Sequence, residues 1–125
     1  MEKVSIILRT SERYLLLDRA LEDIKLQTFK DWKIILVNDG GDINKITKLI
    51  QNNNIPTNKV KIVSLKENKG LNIAINEGAK QVEGEYVVVH DDDDTWQKSF
   101  LEKTVKFLDD NREYGGVITH TKQII

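Results

Sequence analysis

The sequence predicts an α/β domain: a mostly parallel sheet with helices on both faces. Strand-like and helix-like segments alternate along the whole chain, the pattern of βα units. The polar and unusual residues fall directly behind strand candidates: Thr10-Ser11-Glu12, Asn38-Asp39-Gly40-Gly41-Asp42 and Asp91 to Asp94. In open parallel sheets the carboxyl ends of the strands share one edge, and ligands bind there where strand order reverses. Finally, 125 residues at 39% hydrophobic suffice for one compact domain with a core, and not for two.

Val4 to Leu8 is a short apolar run bounded by polar residues, the first strand. From about Arg13 to Gln27, Tyr14, Leu17, Leu21 and Ile24 recur at helical spacing. Lys33 to Val37 reads as a second buried strand, followed by a short helix carrying Ile43, Ile46, Leu49 and Ile50 that Asp42 would cap. Asn52-Asn53-Asn54 closes that helix and opens a turn. Val60 to Leu65 is the third strand. Leu71 to Val82 is helical, with Ala74, Gly78 and Val82 on a narrow face suited to close packing on the sheet. Glu85 to Val89 is the fourth strand, Trp96 to Asn111 a helix with Leu101, Val105 and Leu108 recurring, and Val117 to Thr121 a fifth strand.

Composition removes several classes. A formal net charge of −1 gives no support to nucleic-acid binding. Without cysteine there is neither a disulfide framework nor thiolate chemistry, which fits a reducing compartment. The apolar stretch at the N-terminus is too short for a signal peptide or a membrane span, so a cytoplasmic domain is the default expectation.

The acid run is the strongest chemical signal. Four adjacent carboxylates, Asp91 to Asp94, follow the apolar Tyr86-Val87-Val88-Val89. At about 5 Å and an effective dielectric near 20, each like-charged pair costs roughly 3 kcal/mol. In an extended segment Asp91 and Asp93 point the same way. Two hard oxygen ligands on one face with open positions suit Mg²⁺ or Mn²⁺ held against a phosphate-bearing substrate. The plainer alternative is a solvated loop or a helix N-terminus, with Asp94 or Thr95 capping a helix that begins near Trp96. A calcium loop fails because Trp96 stands where the sharp turn demands glycine. Three separated polar segments converging on one sheet edge favour the metal reading.

The motifs, in order, are Val4-Ser5-Ile6-Ile7-Leu8-Arg9-Thr10, Leu26-Gln27-Thr28-Phe29-Lys30-Asp31-Trp32, Val37-Asn38-Asp39-Gly40, Asn68-Lys69-Gly70-Leu71, Asn76-Glu77-Gly78, Gly84-Glu85-Tyr86 and Asp91-Asp92-Asp93. In this order they resemble the family 2 glycosyltransferases, nearly end to end from Lys3 to about Thr121. The resemblance implies a Rossmann-like GT-A nucleotide-binding half with Asp91 to Asp93 as its DXD segment. It implies that Thr10 (through its backbone), Glu12 and Asp39 contact the nucleobase. Asp39 would accept from uracil N3–H, since an ionised carboxylate only accepts; the plainer role for Asp39-Gly40-Gly41 is a turn. By the same resemblance Asp93, with Asp91, would hold Mn²⁺ or Mg²⁺, and Asp91 and Asp92 would reach the metal, its waters or the ribose.

The sequence also departs from the pattern. Arg9 stands where many members have proline, implying a looser turn, and Ile75 where many carry an arginine that contacts the nucleotide. Lys69 could replace that charge, though a solvated lysine is the simpler role. His90 replaces a usually apolar residue and reads as a partly buried, hydrogen-bonded histidine; Trp96 reads as packing at the start of a helix. His120, at the end of the fifth strand, carries no functional signal. In the family a second half of similar size carries the acceptor site and the catalytic base. The chain stops at Ile125, so no base is assigned, and the acceptor half is expected to be absent. The implied function is the donor domain of an inverting glycosyltransferase, binding a UDP-sugar for transfer to a glycan or lipid-linked acceptor. The alternative is a non-catalytic nucleotide-binding or interaction module of the same fold. A receiver-type phosphoacceptor domain would need acidic residues after strand one, where Arg9-Thr10-Ser11-Glu12 stands. Apolar surface left by a missing half would favour self-association.

Overall fold

The computed structural model describes residues 1–119. Strand β1 (Val4–Thr10) is followed by α1 (Tyr14–Lys25), β2 (Trp32–Asp39) and α2 (Ile43–Asn52). After a short 3₁₀ turn at Thr57–Lys59 come β3 (Val60–Leu65), α3 (Leu71–Ala79), β4 (Tyr86–Asp91) and α4 (Phe100–Asp110). All pairings are parallel, in the order β3-β2-β1-β4. The expected α/β sheet with helices on both faces is therefore present.

Strand alternation divides the core in two. Val4, Ile6 and Leu8 of β1, with Trp32, Ile34 and Leu36 of β2, face a large cluster built from α1, α2 and α4 through Leu17, Leu21, Ile24, Ile46, Ile50, Leu101 and Val105. Ile7 and Val37 face the opposite side and meet Ala74 of α3. The helix approaches so closely there that a Cβ on Gly78 would lie 2.9 Å from methyls of both Ile7 and Val37. The small residues foreseen on this face do that work. Asp42 caps α2 as expected, its Oδ1 accepting from Asn44 N–H at 2.9 Å.

Three expectations change. Helix α4 begins at Phe100 rather than Trp96, and neither Asp94 nor Thr95 caps it. Trp96 instead donates its backbone N–H to Asp23 and stacks its ring on Phe100, with centroids 4.6 Å apart. A turn, with Phe100 N–H bonding Gln97 C=O at 3.0 Å, leads into the helix instead. Residues 117–119 form no strand, and Ile118 is exposed, because a Val-Ile-Thr segment without a pairing neighbour has no ladder to join. The rest of the expected fifth strand, with His120, lies outside the described residues. Among the described residues no helix is long and apolar enough to cross a membrane.

Candidate functional site

Strand β1 lies between β2 and β4. The chain builds outward from β1 through β2 to β3, then returns to place β4 on the other flank. Order reverses at β1, and the carboxyl ends of β1, β2 and β4 lie side by side on the edge where parallel α/β sheets bind ligands. The register sets Arg9 beside Val37 on one side and Asp91 on the other, with Thr10 beside Asn38.

Side-chain hydrogen bonds knit the loops of this edge together. Asn38 closes the turn after β2, donating to Gly41 C=O at 2.9 Å and accepting from Gly41 N–H at 2.8 Å. Gly40, at φ 87°, brings that turn against the Glu67-Asn68 backbone. Ser11 donates to Asp39 C=O at 3.0 Å, and Asn68 donates to Ser11 Oγ at 3.0 Å.

Asp39 lies at the centre of this knot and is sealed from solvent. Its Oδ1 accepts from Lys69 N–H at 2.7 Å. Its Oδ2 accepts from Gly70 N–H at 3.2 Å and from Arg9 Nε and Nη2 at 3.1 and 2.7 Å. Burial pushes this carboxyl up. The Lys69 N–H, the Arg9 guanidinium and the Gly70 N–H outweigh burial and hold it below the ordinary carboxylate range. Arg9, standing where the family pattern has proline, crosses to β2 and ties the two strands through Asp39. Lys69 contributes its backbone N–H to the site, while its ammonium pairs with exposed Glu67.

On the β4 side the acid run splits. Asp92 is fully buried, while Asp93 and Asp94 are exposed and Asp91 is intermediate. Asp94 N–H bonds Asp91 C=O at 3.0 Å, closing a turn. Each of Asp91, Asp93 and Asp94 offers a carboxylate oxygen within 4.8 Å of the others. Asp91 and Asp93 meet through that turn rather than by strand alternation, since β4 ends at Asp91. Burial, then the charges of Asp94 and Asp93, push the Asp91 carboxyl up. Such mutual repulsion among hard oxygen donors fits a divalent cation, which would relieve it.

Two arginines of the α1 segment brace the run, and sequence reading missed both. Arg13 Nη2 lies 2.5 Å from Asp92 Oδ1 and Nη1 3.9 Å from Asp93; Arg19 donates to Asp93 C=O at 2.8 Å. Burial pushes Asp92 up, against the pull of Arg13 and the nearby Thr10 hydroxyl. Among the described residues neither Asp92 oxygen nor buried Thr10 Oγ1 has a partner in good hydrogen-bond alignment. Glu12 stands exposed at the mouth with φ 57°, a left-handed conformation rare for a side-chain-bearing residue. His90 is wholly rather than partly buried, its Nδ1 2.6 Å from Asp91 C=O and its ring 4.3 Å from Trp96. Burial pushes the imidazole down toward its neutral form, against the Asp91 C=O and the charges of Asp23, Asp94 and Asp91, and its buried Nε2 has no hydrogen-bond partner among the described residues.

Residues 5–124 match the family described as glycosyl transferase family 2. The chain is 32% identical over 107 residues to the uncharacterized glycosyltransferase YwdF of Bacillus subtilis, covering 86% of this chain and 38% of that protein. It is 35% identical over 95 residues to the Campylobacter jejuni GalNAc(5)-diNAcBac-PP-undecaprenol beta-1,3-glucosyltransferase, covering 75% and 30%. The fold superposes on the Pyrobaculum calidifontis mannosyltransferase PcManGT, solved with GDP-Man and Mn²⁺, with a TM-score of 0.78 at 22% identity over 88% of this chain and 33% of that one. S. aureus TarS 1–349, solved in complex with UDP, gives 0.75 at 25% identity, again over 88% and 33%. The chain thus spans less than two-fifths of the length of each of these proteins.

Proposed function

The chain belongs to glycosyl transferase family 2, and from that premise we propose that its crevice is the donor site of an inverting glycosyltransferase. The donor is a nucleoside-diphosphate sugar, with a UDP-sugar the expected one, and the acceptor a glycan or a lipid-linked glycan. The observation that carries this reading is the meeting of Asp91, Asp93 and Asp94 oxygens within 4.8 Å beside the end of β1, where sheet order reverses.

Asp93 and Asp91 are the residues that would hold Mn²⁺ or Mg²⁺, with Asp94 in reach. When bound, such a cation offsets the charge that develops on a diphosphate leaving group. The chain's own residues do the rest of the binding. Thr10 and Glu12, at the end of β1, line the nucleotide side of the crevice together with the Arg9–Asp39 pair. Asp92, held inward by Arg13, fixes the turn that aims Asp91 and Asp93 outward, which leaves Asp91 nearest to the ribose hydroxyls. An inverting displacement also needs a base opposite the leaving group to take the acceptor proton. The resemblance puts that base on the acceptor half, and no residue of this chain is assigned to it.

Calorimetric titration of UDP in Mn²⁺ and in EDTA tests the reading. Binding that appears only with the metal is the expected result. Equal heats in EDTA would remove the cation from the account.

A further inference from the structure

The acid run carries its own counter-ion. Among the described residues Asp91 and Asp94 form no ion pair, and Asp93 forms one, with Arg13 Nη1 at 3.9 Å. That distance is beyond hydrogen-bond reach, so the guanidinium faces Asp93 without being tied to it. What ties it is Asp92, whose Oδ1 lies 2.5 Å from Arg13 Nη2. Asp92 is sealed from solvent, and among the described residues its oxygens have no other ion-pair partner and no well-aligned donor. A buried carboxylate in that condition keeps its cation close. Arg13 is therefore a positive charge fixed at the edge of three oxygen donors that lie within 4.8 Å of one another. Arg19 differs, because it donates to the Asp93 C=O and not to a carboxylate of the group.

We propose that Arg13, anchored by Asp92, is a resident counter-ion that opposes free divalent cations at the acid run, so that the cation enters with the nucleotide. The inference rests on the donor-site reading above and deepens it. Without nucleotide, an incoming Mn²⁺ meets the guanidinium as a like charge at short range, where salt screens little. A diphosphate brings negative charge to the same place and offsets that opposition. Cation and nucleotide then depend on each other, each tightening the other by the same factor. Asp92 supplies the device from within the run: it turns inward to keep the arginine, while Asp91, Asp93 and Asp94 remain together for the cation.

The test is electron paramagnetic resonance of Mn²⁺ with the natural chain, Arg13→Gln, Arg13→Ala and Arg13→Lys, each without and with saturating UDP. Glutamine drops the charge but keeps an N–H donor for Asp92, alanine is the second neutral variant, and lysine keeps the charge. Without UDP, the neutral variants should bind Mn²⁺ about tenfold more tightly than the natural chain, and Arg13→Lys within about threefold of it. With UDP, natural and neutral chains should differ by less than about threefold, so the tightening that UDP brings shrinks when the charge is lost. A merely structural arginine gives the opposite sign, since a loosened turn weakens the cation. Unchanged or weaker Mn²⁺ binding without UDP, in whichever neutral variant is folded by circular dichroism, would overturn the inference while leaving the donor site standing. If the natural chain binds no Mn²⁺ even with UDP, the donor-site reading fails and the inference fails with it.

Discussion

Arg13 and Asp92 form a lopsided ion pair: Nη2 lies 2.5 Å from Oδ1, yet the arginine side chain is 43% exposed and the carboxylate is sealed. Among the described residues the buried partner has no other ion pair, so its charge depends chiefly on a half-exposed arginine. Removing one member of a fully buried pair costs 3–5 kcal/mol, but solvent screening of Arg13 lowers that figure. Arg13→Ala should therefore destabilise the fold by about 1–3 kcal/mol. Urea denaturation with an unchanged slope would measure this.

Asp39→Asn should cost about 2–4 kcal/mol, because it leaves Arg9 unpaired and turns an amide NH₂ toward neighbouring donors. The pH dependence has a definite sign. The folded Asp39 carboxyl titrates below its ordinary value, so its stabilisation is complete above the unfolded pKa of about 3.9 and is lost as pH falls through the folded value. The stability gap between the natural chain and Asp39→Asn should stay constant from about pH 8 to pH 5 and shrink below about pH 4. Urea midpoints at a series of pH values would show it.

The acid run should behave oppositely. Burial and the neighbouring Asp94 and Asp93 raise the Asp91 carboxyl, so ionising it opposes folding, and that cost grows as pH rises from the unfolded toward the folded value. Asp91→Asn should leave the metal-free protein as stable or more stable, by up to about 1 kcal/mol at pH 7.5, while reducing the rise in Tm on adding Mn²⁺. Thermal melts with and without the ion read both effects.

Packing at two glycines, Gly78 inside α3 and Gly40 in the turn after β2, gives a further check. An alanine Cβ at Gly78 would sit 2.9 Å from Ile7 and Val37 methyls, whereas at Gly40 it would sit 2.6 Å from the Asn68 backbone nitrogen with φ at 87°. At Gly78 overpacking of about 1–3 kcal/mol outweighs the gain of about 1 kcal/mol in helix propensity. At Gly40 the penalty should be larger, since backbone rather than methyls must move, and the α3 loop is displaced from Asp39. Protection of the Lys69 and Gly70 amides from hydrogen exchange should fall in Gly40→Ala and persist in Gly78→Ala.

Much of this was legible in the sequence because its signals are local. The four strands, the Asp42 cap and the close face of α3 follow from periodicity and residue size, and the convergence of three polar segments follows from parallel topology. The cross-chain partnerships were not legible. Arg9 was read as the absence of proline, although its importance is a bond to a residue thirty positions away on β2. Nothing in the local sequence marks Arg13 or Arg19, and only the turn at Asp91 to Asp94 brings them to the acid run. The start of α4 was misjudged because Trp96 has helical spacing to Phe100, yet the indole is drawn onto His90 and Phe100 before the helix can begin.

The central claim is that cation and diphosphate meet at Asp93. Electron paramagnetic resonance of Mn²⁺, titrated with and without UDP, measures their coupling directly, because linkage makes each ligand tighten the other by the same factor. The account predicts that UDP tightens Mn²⁺ binding about tenfold or more in the natural chain and has little effect in Asp93→Ala. Undiminished coupling in Asp93→Ala, with the variant shown to be folded, would contradict it and place the donor's cation elsewhere.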